Sequence, residues 1–192
     1  MADIAAILPK VVLASQSIAR KALLEREGVE VIVRPTNCDE SHALLDPAKT
    51  VAMLAYRKLM AYRSVHGHYE LPVLCCDTLI SFESALIGKP RDRLHAYAQL
   101  ASFSGKTQEV HSGWALWFDD KVYSSADKAL VVFKPLGKFV IESYLDTGEW
   151  EGAAGSYRIQ GEGRNLVDHI EGDEATVVGL PLRQLLEKLA QT

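Results

Sequence analysis

Short apolar runs of strand length alternate with longer segments of helical periodicity, and this rhythm constrains the fold more than any other feature of the chain. "KVVLAS" reads as a buried strand. "SQSIARKALLEREG" then reads as a helix, with Ser15 or Ser17 as its cap and Gly28 at its end. "VEVIVRP" returns as a strand and "TNCDESHALLD" as a polar connection. "PAKTVAMLAYRKLMAYRSVHG" carries apolar residues at helical spacing and stops at glycine. "LPVLCCDTLISF" is a strand, followed by a turn and "LIGKP", and "RDRLHAYAQLASFSG" is a helix. A long alternating stretch from "TQEV" to "VVFKP" predicts two strands turning at "FDDK". "GKFVIESYLDTG" is a helix, "LVDHIEGDEATVVG" a hairpin turning at "EGDE", and "LPLRQLLEKLA" a last helix with Pro181 in its first turn. Hairpins mixed with βα units predict an α/β protein, with a mixed, twisted sheet and helices packed on it.

The chain has 192 residues, enough for a single domain over 1–192, with room for two lobes. A hydrophobic fraction of 48% with 24% charged residues is that of a soluble globular protein. The net charge of −4 argues against a general nucleic-acid binder, and leaves room for a local basic pocket for phosphates. No apolar run is long enough to span a membrane. The opening "MADIAAILPKVVLAS" carries Asp3 and no basic leader, so it reads as a first strand rather than a signal peptide, and a cytoplasmic location is expected. Of the three cysteines, Cys75 and Cys76 are adjacent, and no CxxC spacing exists. That argues against a disulfide framework and a thiolate zinc site, and for small core filling. His66 and His68 read as solvated loop histidines, because no third ligand stands near them.

Four stretches hold residues that could do chemistry. Asp77 lies within the apolar run "VLCCDTLISF", with Lys89 just beyond in "LIGKP". A buried carboxylate is costly unless it is paired, hydrogen-bonded or on a metal, and the plainer reading is that Asp77 ends the strand and caps a turn. "LASQSIAR" places a hydroxyl-rich turn at a helix start, where unpaired backbone N–H groups and the helix dipole favour anions. Ser15 and Ser17 add donors, and Arg20 can fold back as a phosphate clamp; alternatively this is an ordinary cap beside a solvated arginine. "NCDES" clusters Asp39, Glu40 and Ser41, a set that suits Mg²⁺ or is simply solvated. In "GSYRIQGEG" three glycines bracket Gln160, so the backbone can turn tightly around a ligand.

Taken in order, these motifs resemble the Maf family of nucleoside triphosphate pyrophosphatases. The resemblance runs from "LASQSIARKALLEREGV" through "CDTLISFESALIGKP", "LASFSGKTQEVHSGWAL" and "AGSYRIQGEG" to "IEGDEATVVGLPL". It implies an inosine-triphosphatase-like fold with two lobes around a nucleotide cleft. It implies hydrolysis of a nucleoside triphosphate to the monophosphate and pyrophosphate, with a divalent metal cation, Mg²⁺ or Mn²⁺. By resemblance, Asp77, Lys58 and Lys89 are catalytic, Ser15, Ser17, Arg20 and Gln160 bind substrate, and Glu40 with Asp77 holds the metal. The chain departs from the family's usual Ser-Pro-Arg-Arg at Ile18 and Ala19. It has Ala153 where a lysine is frequent and Gln108 where a histidine is common.

The "DT" of Asp77 and Thr78, Lys89 of "GKP" and Gln160 of "IQG" resemble the family members that prefer dTTP and UTP, and Gln160 offers one donor and one acceptor to the edge of uracil or thymine. Ala19 keeps 7-methyl-GTP, CTP and modified nucleotides open as alternatives. A nucleotide-binding regulator of cell division with little turnover is a further one, because the family is linked to septum formation. An RNA-binding module is opposed by the acidic net charge. The helix "GKFVIESYLDTG" and the hairpin with Trp114 and Trp117 offer apolar surface for a homodimer, or the tryptophans fill the core.

Overall fold

The computed structural model describes residues 4–41, 46–67 and 70–190. Seven helices and seven strands follow in the order α1(Ile4–Ile7), β1(Lys10–Leu13), α2(Ile18–Arg26), β2(Glu30–Val33), α3(Pro47–His66), β3(Val73–Phe82), β4(Ala85–Ile87), α4(Arg93–Phe103), β5(Thr107–Phe118), β6(Lys121–Phe133), α5(Lys138–Leu145), β7(Val167–Glu171), α6(Glu174–Val178) and α7(Leu182–Leu189) among the described residues. The strands form one sheet ordered β2-β1-β3-β5-β6-β7, with β4 paired to β3. Pairing is parallel for β1 with β2 and with β3, and antiparallel for β3 with β4 and for β6 with β7. The expected mixed α/β sheet is therefore present. No helix among the described residues is long and apolar enough to cross a membrane.

The chain divides into two compact units. The first holds Met1–Thr78, Ser112–Asp127 and Gly179–Thr192, and the second holds Leu79–His111 and Lys128–Val178. In the first, β1 lies between two parallel partners and Val11, Val12 and Leu13 are fully buried, as a continuous apolar run requires. Asp46 caps α3 by accepting from the backbone N–H groups of Ala48 and Lys49, and Pro47 occupies the first turn. Val51, Leu54, Ala55, Leu59 and Tyr62 form the buried stripe of this helix. Ala55, Leu59 and Tyr62 pack with Val12, Val73, Cys75 and Ala115 from the strands.

Close approach of α3 to β5 depends on Gly113. A β-carbon there would stand 2.4 Å from the carbonyl carbon of Val51 and 2.6 Å from the backbone nitrogen of Ala52. Only a residue without a side chain lets the helix lie so near the strand.

The second unit has its own core. Phe82, Phe103, Phe133 and Tyr157 form an aromatic row, with successive ring centroids 5.0, 5.3 and 5.2 Å apart. Edge-to-face and tilted packing suits the ring quadrupoles.

Two sequence expectations are corrected. The N-terminal stretch is not all strand, because Ile4–Ile7 makes one helical turn before β1. The segment around "EGDE" is not a hairpin: β7 pairs with β6, and Glu174–Val178 is then helical. Asp173 accepts from the Ala175 backbone N–H through its side chain and from Thr176 through its carbonyl, so capping overrides the strand preference of Thr176, Val177 and Val178. Pro181 sits one residue before α7, as its cap. Trp114 is fully buried and its indole N–H donates to Gln184, so it fills the core. Phe139 in α5 remains 83% exposed. His66 ends α3 and stacks on Tyr62, whereas His68 and the 42–45 part of the polar connection lie outside the described residues.

Candidate active site

Asp77 is the fifth residue of the ten in β3 and does not end the strand. It is only 7% exposed, which rules out the turn-cap reading. Its carboxylate accepts from the ammonium of Lys58, with Nζ and Oδ1 2.5 Å apart. Lys58 is held in place by α3, which presents it one residue before Leu59 of the buried stripe. The same Nζ lies 2.9 Å from Oε1 of Glu40. One ammonium thus joins a buried carboxylate to a largely exposed one.

The electrostatics follow from burial. Removal from water pushes the Asp77 carboxyl above its ordinary range, and the Lys58 and Arg20 cations only partly reverse this. Burial acts against the Lys58 ammonium too, but the Asp77 and Glu40 carboxylates outweigh it and hold its pKa up. Cys76 lies beside Asp77, and burial raises its thiol to about 11. Cys75 is raised further by the same cause, so both thiols are inert core filling, as expected.

The acidic loop is tied to α3 at two adjacent residues. Arg57 donates to the Ser41 carbonyl at 2.7 Å, and Lys58 reaches Glu40. Within the loop the two carboxylates separate by task. Asp39 accepts from the backbone N–H and hydroxyl of Ser41, and these bonds lower its pKa. It shapes the turn and leaves Glu40 directed at Lys58.

The hydroxyl-rich turn belongs to the same unit. Ser17 caps α2 by accepting from the Arg20 backbone N–H, and Ser15 accepts from the Ser17 backbone N–H and from Nη1 of Arg20. A hydroxyl has two acceptor positions and one donor. Ser15 fills both acceptor positions, and the capacity left to its hydroxyl is that of a donor. Arg20 itself is turned inward. Its Nε donates to the Gly179 carbonyl at 2.8 Å, Nη1 also reaches the Cys76 carbonyl, and Nη2 donates to the Thr78 hydroxyl at 3.0 Å. Thr78 in turn shares a hydrogen bond with Ser112. Four of the five guanidinium N–H groups are thereby committed to the protein, where a bidentate phosphate clamp needs two of them open. Gly179 has φ +110°, and a β-carbon there would meet Nε of Arg20 and Oγ1 of Thr78, each at 3.0 Å. Sequence reasoning named Thr78 only as part of the "DT" motif, without its bond to Arg20, and missed Ser112 and Gly179.

Lys89 and Gln160 belong to the second unit, and both are exposed. Lys89 follows β4, one residue after Gly88. Gln160 lies on a loop whose backbone is fixed on both sides. The Arg158 backbone N–H donates to Tyr144 Oη, and its guanidinium donates to the carbonyls of Glu149 and Glu151. The Glu149 carboxylate accepts from the backbone N–H groups of Glu162 and Gly163. Gly163 approaches the Arg158 backbone so closely that a β-carbon would lie 2.5 Å from its oxygen. Gln108 is fully buried, and its amide donates to Tyr157 Oη at 2.6 Å.

The first unit thus combines a buried carboxylate–ammonium pair on β3 and α3 with a hydroxyl-capped helix start at α2. Comparison with known proteins gives the particular family. The model of the family described as "Maf-like protein" matches residues 10–192, and the chain belongs to that family. It is 37% identical to a dTTP/UTP pyrophosphatase of Pyrococcus furiosus, over 91% of each chain. It is 39% identical to one of Bacillus cytotoxicus, over 96% of each, and 37% identical to one of Thermosipho africanus, over 94% of this chain and 92% of that one.

Proposed function

We propose that this protein is a nucleoside triphosphate pyrophosphatase, converting a nucleoside triphosphate to the monophosphate and pyrophosphate, with dTTP and UTP preferred. One observation carries the reading: a carboxylate buried in the middle of a strand, bonded to a lysine that a second carboxylate shares. An isolated buried ion pair is weak evidence for stability, and such pairs concentrate where charge is used. The names of relatives at 37–39% identity over nearly the whole chain support the same reaction.

The carboxylates fit a divalent cation. Among the described residues, no group of three or more His, Cys, Asp and Glu side chains gathers. Two carboxylates with water and phosphate oxygens completing the shell is the usual way Mg²⁺ is held at a phosphate substrate. Glu40 and Asp77 would hold Mg²⁺ or Mn²⁺, which supplies neutralisation of the triphosphate charge and of the pyrophosphate leaving group.

The remaining roles fall to the chain's own side chains. Asp77 orients the attacking water and accepts its proton, which its raised pKa suits. The Lys58 ammonium passes from the carboxylates to the phosphate oxygens as charge develops there. Ser15 and Ser17 donate their hydroxyl protons to phosphate oxygens at the start of α2. Arg20 adds positive charge, and holds Ser15 against Cys76 and Thr78 of β3. Lys89 balances triphosphate charge. Gln160 reads the base, because its amide donates and accepts once each on the O4 and N3–H edge of uracil or thymine.

The test is turnover efficiency on dTTP, UTP, CTP and 7-methyl-GTP, repeated with Gln160→Glu. dTTP and UTP are expected to lead, and Gln160→Glu to change the order, because it removes the donor. If 7-methyl-GTP leads for the unmodified protein, or if the order survives the substitution, the base assignment fails.

A further inference from the structure

The side chains assigned above to triphosphate charge and to the base, Lys89 and Gln160, hang from one hydrogen-bonded assembly in the second unit. Gly88 immediately precedes Lys89. Its carbonyl accepts from the side-chain amide of Gln99 at 3.2 Å and from the backbone N–H of Gly155 at 3.2 Å. Gln99 projects from α4 and is 9% exposed. Its Oε1 accepts a short hydrogen bond from the hydroxyl of Ser156, which is fully buried. A single amide therefore bridges the loop that carries Lys89 to the loop that leads, four residues later, to Gln160.

Ser156 has a cost that its packing does not explain. Its φ is +63°, in the left-handed region that a β-carbon disfavours, and it follows Gly155 at +70°. The three residues 155–157 each have a separate anchor: Gly155 on Gly88, Ser156 on Gln99, and Tyr157 on Gln108. Unfavourable backbone conformations of this kind persist where the surroundings over-determine them, and they gather at functional sites. A glycine at 156 would adopt the same backbone without strain, but it could not supply the hydroxyl.

We infer that Gln99 and Ser156 are a positioning pair that sets the placement of Lys89 and Gln160 together by bridging their two loops. Neither residue touches substrate; each acts through the loops it ties. The inference rests on the reading of Lys89 and Gln160 as substrate-handling side chains, and its test separates the two ideas.

Two variants are needed, Gln99→Met and Ser156→Gly, each alone and combined with Lys89→Ala, measured for kcat, KM and melting temperature. Hydrogen–deuterium exchange of the single variants is measured beside it. Misplacement of a substrate-handling group by about 1 Å costs up to about 10²-fold, so a fall in kcat/KM of about 10-fold or more is expected for each variant. Ser156→Gly should keep or raise the melting temperature while losing activity, which a purely structural role cannot produce. In the Lys89→Ala background neither substitution should lower kcat/KM by its full factor again, since part of its effect runs through Lys89. Exchange should quicken over residues 86–90 and 154–158 and stay unchanged in β1. Equal losses in both backgrounds, or unchanged exchange over both loops, would overturn the inference. If the unmodified protein hydrolyses no nucleoside triphosphate, the functional reading fails, and the exchange data still decide whether the pair ties the loops.

Discussion

Asp77→Asn is expected to lower turnover by about 10²–10⁴-fold, the usual cost of losing a positioned base, and to leave a folded protein. The asparagine keeps an oxygen where Lys58 now donates, and Glu40 still accompanies that ammonium at 2.9 Å. The variant therefore removes the charge and the basicity without stranding the lysine. Complete removal of one partner from a buried pair would be a different experiment, since an uncompensated buried charge costs about 3–5 kcal/mol. Steady-state kinetics at saturating Mg²⁺, with circular dichroism as the fold control, check the expectation. Near-wild-type turnover would make Asp77 a structural residue.

Gly113→Ala is expected to have the largest effect on stability. A β-carbon at 113 would lie 2.4 Å from backbone of α3, and neither backbone is a flexible side-chain end that can swing aside. The helix must move outward or the strand must bend. Overpacking costs typically 1–3 kcal/mol, and we expect about 3 kcal/mol, which for a chain of this size lowers the melting temperature by roughly 6–12 °C. Lys58 lies two turns beyond Val51 on the same helix, so the displacement should also lower turnover in the fraction that stays folded. Thermal unfolding and kinetics below the transition test both parts. A melting temperature within about 2 °C of the unmodified protein would show that the contact relaxes freely.

Much of this architecture was legible in the chain. The strand–helix rhythm announced β1, α2, β2, α3 and β3, because their apolar spacing, caps and terminal glycines agree with one another. Asp77 stood out because a carboxylate interrupts an apolar run. Lys58 did not stand out by itself, since a lysine in an amphipathic helix is commonplace, and only the family pattern selected it. The inward turn of Arg20 was not legible, because its partners Thr78 and Gly179 are 58 and 159 residues away. Gly113 carried a signal that could have been used: a glycine inside a strand marks close backbone approach. Ser156 gave none, since nothing in the sequence marks a serine that will adopt a left-handed backbone. The "EGDE" segment misled because Thr176, Val177 and Val178 favour strands, and the Asp173 cap that overrides them is a local hydrogen bond rather than a periodic pattern.

In the proposed reaction Asp77 directs water to the α-phosphorus of a nucleoside triphosphate. Hydrolysis of dTTP or UTP in water enriched in ¹⁸O, with Mg²⁺ present and both products examined by mass spectrometry, tests it most directly. Pyrophosphate without label and one ¹⁸O in the nucleoside monophosphate are expected. Label in pyrophosphate, or release of orthophosphate as the first product, would contradict it.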